Sequence, residues 1–254
     1  MFMYYGDSVN ELNALKDALI ESAEHDKLSN GIKHSDGYGY VIVTKNRTYY
    51  HRSTRPIYED RFEIPEISGN FLAIFHARRS SDGLIGKTKF THPFCESSGT
   101  STIYLAHNGG TCKSRLSESL CVDGDEIVDS KLALEFIIKE GGITPESLEK
   151  LKGFTRKDAA LNLFICSITG QKVEGYYYNY YPDPENWDYY ALYTAKMERG
   201  KAVFSSTLKE CNLGKCEIAK AKKEELIKFG EFSMEPNIEV PPVSTKEAQD
   251  SKKP

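Results

Sequence analysis

The chain has 254 residues, 39% hydrophobic and 28% charged, enough for one large domain or two small ones with a substantial core. Its 33 basic and 37 acidic residues give a formal net charge of -4, so charge implies neither a nucleic-acid nor an anionic-membrane partner. No apolar run approaches the ~20 residues of a membrane span, and Met1 to Asn10 lacks the basic start and long apolar stretch of a secretory signal.

Met1 to Tyr5 is apolar and aromatic and ends at Gly6, which predicts a short strand. Ser8, three residues before Glu11, has the spacing of a capping box. Leu12, Leu15, Ala18, Leu19 and Ala23 then follow at helical spacing, predicting an amphipathic helix over 9–25. Tyr38 to Thr44 and Thr48 to Arg52, joined by Lys45-Asn46-Arg47, read as a hairpin. Asn70 to Ala77 and Thr102 to Ala106 are further strands. Ser130 to Lys139 is a helix closed by Gly141 and Gly142, and a short helix starts near Pro145. Four consecutive strands follow: Leu161 to Ile168, Lys172 to Tyr181, Tyr189 to Lys196 and Ala202 to Ser206. From Pro236 the chain is rich in Pro, charge and small residues and reads as a flexible tail over 236–254, leaving one domain over 1–235. The order of elements suggests an α+β fold with layered antiparallel sheets.

The six cysteines (Cys95, Cys112, Cys121, Cys166, Cys211 and Cys216) form no CxxC pair, so free thiols in a reducing cytoplasm are expected. His76, His92 and His107 lack the HxH or HExxH spacing of a metal site, and strand-end hydrogen bonding is the expected role. Half of the 16 tyrosines lie between Tyr176 and Tyr193. The neighbouring Asp183, Glu185 and Asp188 would repel phosphates, so half-exposed strands around an aromatic hairpin are expected rather than a base-stacking surface.

Short polar segments interrupt the strands at their ends. They are His34-Ser35-Asp36-Gly37-Tyr38-Gly39-Tyr40, His76-Ala77-Arg78-Arg79, His92-Pro93-Phe94, His107-Asn108-Gly109-Gly110 and Asp129-Ser130. Each alone reads as a turn, a solvated strand end or a helix cap. Together and in this order, over about Met1 to Ile138, they resemble the class II glutamine amidotransferases, most closely members consisting of the glutaminase domain alone. The resemblance implies the four-layer αββα sandwich of N-terminal nucleophile hydrolases. It also implies hydrolysis of the glutamine side-chain amide through a γ-glutamyl thioester, with no cofactor or metal and with ammonia passing to an acceptor enzyme or to water. The alternatives are a γ-glutamyl amide within a larger substrate, or an inactive domain that binds glutamine or a partner protein.

On this resemblance Arg78 matches the position that pairs with the substrate carboxylate, and Asp129 the one that takes the α-ammonium. Asn108, through its side-chain amide, and Gly109, through its backbone N–H, match the oxyanion hole. The family nucleophile is an N-terminal Cys whose α-amine acts as base. Here Phe2 cannot attack, and Ser8 is a poor substitute because it caps a helix. Relatives of this type begin Met-Cys-Arg before an apolar strand ending in Gly. Met1 to Gly6 looks like that strand with Cys-Arg removed, so the expectation is a Met-Cys-Arg ahead of Met1.

Overall fold

The structure, a computed structural model, describes residues 1–81, 83–182 and 188–236. In chain order the elements are β1 (Phe2–Gly6), α1 (Val9–Glu24), β2 (Tyr38–Val43), β3 (Thr48–Ser53), β4 (Phe71–Ala77), β5 (Phe94–Ser98) and β6 (Ser101–Gly109). Then come α2 (Lys113–Leu120), α3 (Asp129–Lys139), α4 (Pro145–Lys152), β7 (Leu161–Thr169) and β8 (Lys172–Tyr180). The last strands are β9 (Leu192–Lys196), β10 (Gly200–Ser205), β11 (Glu217–Lys220) and β12 (Ile227–Ser233). The strands form a seven-stranded sheet ordered β11-β9-β10-β1-β4-β2-β3 and a five-stranded sheet ordered β12-β8-β7-β6-β5. The paired neighbours are antiparallel.

Alternation along the strands sorts side chains into layers. Phe2 and Tyr4 of β1, with Phe71, Ala73 and Phe75 of β4, pack against Leu12, Leu15 and Leu19 of α1. Met1, Met3, Leu72 and Ile74 point the other way and meet Tyr104, Ala106, Phe164 and Cys166 of the second sheet. That sheet's opposite face, Ile103, Leu105, Leu161, Leu163 and Ile165, is covered by Leu132, Phe136 and Leu148 of the α2–α4 layer. The result is helix, sheet, sheet, helix: the four-layer αββα sandwich expected from the sequence. Burial of each large apolar side chain contributes about 1.5–3 kcal/mol, so three such layers leave little freedom at the strand ends.

Local differences have physical causes. The Ser8 hydroxyl accepts from Glu11 N–H at 3.3 Å, but Glu11 does not return the bond. Its carboxylate instead accepts from Tyr4 Oη and from Arg199 N–H, each at 2.8 Å, tying α1 to β1 and to the turn before β10. The strand expected from Tyr189 begins only at Leu192, because Asp188–Tyr190 forms a 3-10 turn. The expected tail, beyond Pro236, lies outside the described residues, as do residues 183–187 of the aromatic segment. Tyr177, Tyr178 and Tyr181 of that segment are core side chains rather than a half-exposed surface.

Candidate active site

The strand parity that builds the layers also builds a cavity at one end of the inter-sheet space. His76 shares the inner face of β4 with Leu72 and Ile74, and Asn108 shares the inner face of β6 with Tyr104 and Ala106. Met1 closes the same end, continuing β1: its carbonyl accepts from Ser205 N–H at 3.0 Å and its α-amine donates to Ser205 Oγ at 3.3 Å. The cavity has a volume of about 450 Å³, and its walls include Met1, Arg78, Asn108, Gly109 and Asp129. The structure thus brings the four residues singled out in the sequence to one space, with the start of the chain beside them.

Arg78 leaves β4 at its end and is buried. Its backbone is clamped by the Asp36-Gly37 turn: Arg78 N–H donates to Gly37 O at 2.8 Å, and Asp36 N–H to Arg78 O at 3.0 Å. The Asp36 carboxylate also accepts from Ser80 N–H at 2.6 Å. Gly37 has φ +102, and a Cβ there would lie 2.4 Å from Ser53 O, which is why the turn needs glycine. The guanidinium donates to Leu84 O at 2.7 Å and to Ser80 Oγ at 3.3 Å, which fixes its plane on the cavity wall.

Asn108 and Gly109 end β6. Gly109 has φ +149, and a Cβ would lie 1.7 Å from Ala160 O, so only glycine admits this crossing of β6 and β7. Asp129 is the first residue of α3 rather than its cap, which is Val128. Its carboxylate accepts from Thr111 N–H at 2.8 Å and Thr111 Oγ1 at 3.3 Å on one oxygen, and from Ser130 Oγ at 3.3 Å on the other. The helix start is thereby tied to the chain just after Asn108-Gly109, and the dipole of α3 favours negative charge there.

A wall of histidines lies between these groups. The His76 and His92 rings lie 4.2 Å apart, tilted by 31°, and His76 Nε2 lies 3.2 Å from His107 O. His107 Nδ1 lies 2.9 Å from Ser130 Oγ. Burial pushes His76 and His92 well below the usual imidazole range; it also lowers His107, against the pull of Asp129. His76 Nδ1 and both His92 ring nitrogens have no partner among the described residues. Among those residues no group of three or more His, Cys, Asp or Glu is placed to hold a metal ion. Burial likewise lowers the Met1 α-amine to about 5, although Asp26 opposes this. The Asp26 carboxylate is itself buried, which would raise its pKa, but bonds from His34 Nε2 at 3.1 Å, Tyr189 Oη at 2.9 Å and Leu28 N–H at 3.1 Å hold it below the usual range.

Besides His34 of the first polar segment, the cavity is lined by Arg156, Ser205, Tyr189 and Tyr190, which sequence reasoning missed. Long-range pairing delivers them, and no local motif marks them. All six cysteines are free thiols and none lines the cavity. No described helix is long and apolar enough to cross a membrane.

No family model and no curated protein matches the sequence. Solved structures do match the fold. One is a glutamine phosphoribosylpyrophosphate amidotransferase from B. subtilis, with a TM-score of 0.59 and 13% identity over 92% of this chain and 48% of that one. Another is an allosteric regulatory enzyme of purine biosynthesis, with a TM-score of 0.60 and 15% identity over 91% of this chain and 48% of that one. The chain spans about half the length of these structures and shares their fold.

Proposed function

We propose that this chain is a class II glutamine amidotransferase domain that hydrolyses the side-chain amide of glutamine. The supporting observation is the convergence of Arg78, Asp129, Asn108, Gly109 and the Met1 end of β1 on one cavity. In this reading the Arg78 fork pairs with the glutamine α-carboxylate and Asp129 takes the α-ammonium. Asn108 Nδ2 and Gly109 N–H receive the negative charge that develops on the amide oxygen. The attacking thiol belongs to a cysteine ahead of Met1, and its own α-amine accepts the thiol proton. Carbon–sulfur bond formation expels ammonia, which carries that proton away. Water then cleaves the γ-glutamyl thioester, so that glutamine plus water gives glutamate plus ammonia. The ammonia goes to an acceptor enzyme or to solvent, and the free thiols fit a cytoplasmic setting.

The test is ammonia release from glutamine by the chain extended with Met-Cys-Arg before Met1, beside the same extension carrying Ala for Cys. Turnover that depends on the cysteine is expected. A folded extended chain that neither binds nor hydrolyses glutamine would refute the reading.

A further inference from the structure

Two guanidinium groups in this cavity have no counterpart in glutamine. With the proposed glutamine site as premise, Arg78 and Asp129 satisfy the zwitterion, and Arg79 and Arg156 remain on the walls. Glutamine has about ten non-hydrogen atoms, whereas a cavity of about 450 Å³ falls in the range that encloses larger ligands.

Both arginines stand on anchored backbone. The bonds from Arg78 N–H to Gly37 O and from Ser80 N–H to the Asp36 carboxylate fix the chain on either side of Arg79. Arg156 is placed by a β-bridge between Thr111 and Thr155 and by Arg156 N–H donating to Gly110 O at 3.0 Å. Its guanidinium lies against Gly110, where a Cβ would come within 2.8 Å of Nη2 and 3.0 Å of Nε. Arg156 therefore overhangs the residue that follows Asn108-Gly109. Its ionic neighbour Asp158, 3.4 Å away, is 80% exposed, so solvent screens that pair and leaves the cation available. Tyr189 and Tyr190 line the same cavity, with rings T-shaped at 5.2 Å. Burial raises the Tyr190 phenol pKa; Arg156 and Arg79 pull against it, and Asp158 adds to it.

We propose that Arg79 and Arg156 form an oxyanion subsite at the mouth of the glutamine cavity, with Tyr189 and Tyr190 as its apolar wall. Its ligand is a carboxylate or phosphate. The anion is either carried on the amide nitrogen of an elongated γ-glutamyl substrate or belongs to a separate small molecule bound beside glutamine. Two guanidiniums offer the planar donors that such oxyanions accept.

Calorimetric titration of the chain as it stands tests this with four probes: glutamine, γ-glutamylmethylamide, γ-glutamylglycine, and inorganic phosphate in the presence of glutamine. If the substrate carries the anion, γ-glutamylglycine binds about tenfold or more tightly than γ-glutamylmethylamide. That ratio falls to about one in the Arg79→Gln/Arg156→Gln double variant. If the anion is separate, phosphate binds together with glutamine and the double variant abolishes this. Equal affinity for the two γ-glutamyl amides with no phosphate binding overturns the subsite. So does a γ-glutamylglycine advantage that survives in the double variant. Phosphate binding that requires both arginines, without any glutamine binding, overturns the glutamine reading and sustains the subsite. Absence of all binding overturns both.

Discussion

Asp36 and Arg78 hold each other in place: the Asp36 N–H donates to the Arg78 carbonyl at 3.0 Å, and the Asp36 carboxylate takes the Ser80 N–H two residues further on. Asp36 acts on the cavity through Arg78 and is a positioning residue. Gly37 completes the clamp at φ +102 with Ser53 O in the way of any Cβ. Gly37→Ala should therefore lower stability by about 1–3 kcal/mol and weaken glutamine binding, because Arg78 shifts with the turn. Urea unfolding and calorimetry read the two effects. Lost stability with unchanged glutamine affinity would show that the turn does not position Arg78.

Arg78→Lys keeps the charge and removes the planar fork. A point charge cannot hold a carboxylate by two parallel bonds or span from Leu84 O to Ser80 Oγ as Arg78 does. Glutamine binding should fall by about tenfold or more, as read by calorimetry. A lysine variant that binds glutamine as tightly as the parent would remove Arg78 from the carboxylate site.

The histidine wall makes stability depend on pH. His76, His92 and His107 are held below the ordinary imidazole range in the folded chain, by burial first. As pH falls through about 6.5, the unfolded chain takes up protons that the folded chain refuses. Stability is therefore intact above that pH and is lost below it, by up to about 1.4 kcal/mol per pH unit for each histidine. His92→Phe keeps an aromatic ring against His76 and Phe94, whose centroids lie 4.2 and 4.6 Å from the His92 ring. It should flatten the slope by about one proton between pH 6.5 and 5.5. Unfolding midpoints at several pH values measure this, and an unchanged slope would mean that His92 titrates normally.

The strands at the centre of the sheets were legible because both faces are buried. Phe71-Leu72-Ala73-Ile74-Phe75 can only be an interior strand, and its parity already places His76 on a defined face. β11 was not legible because Glu217-Ile218-Ala219-Lys220 is an exposed edge strand with no alternation to read. α2 was missed because Leu116 and Ser117 are its only buried side chains. In the site, Arg78, Asn108, Gly109 and Asp129 could be singled out because the short motifs they stand in, each uninformative alone, together resemble those of the class II glutamine amidotransferases. Arg156 could not, since the Thr111–Thr155 bridge that delivers it joins segments with no local signal. Tyr189 and Tyr190 were read as strand because aromatic content favours β structure, whereas their backbone turns to bring both rings to the cavity.

Asn108 and Gly109 make different demands, and mutation should separate them. The Gly109 position is set by backbone: a methyl group there would collide with Ala160 O, which itself accepts from Gly110 N–H at 3.0 Å. Gly109→Ala should therefore disturb the β6–β7 pairing and lower stability before any effect on chemistry can be read. The Asn108 side chain lies on the inner face of its strand, beside Met1 and Arg78 in the same cavity. Asn108→Ala should leave unfolding close to that of the parent. In the cysteine-extended chain it should reduce ammonia release by roughly 10²–10³, the usual effect of losing one oxyanion donor. Because the amide is proposed to meet charge that develops only in the transition state, the loss should fall on kcat rather than KM. Steady-state kinetics of the variant against the extended parent decides the matter. A change confined to KM would make Asn108 a binding residue, and no change in either constant would remove it from the oxyanion hole.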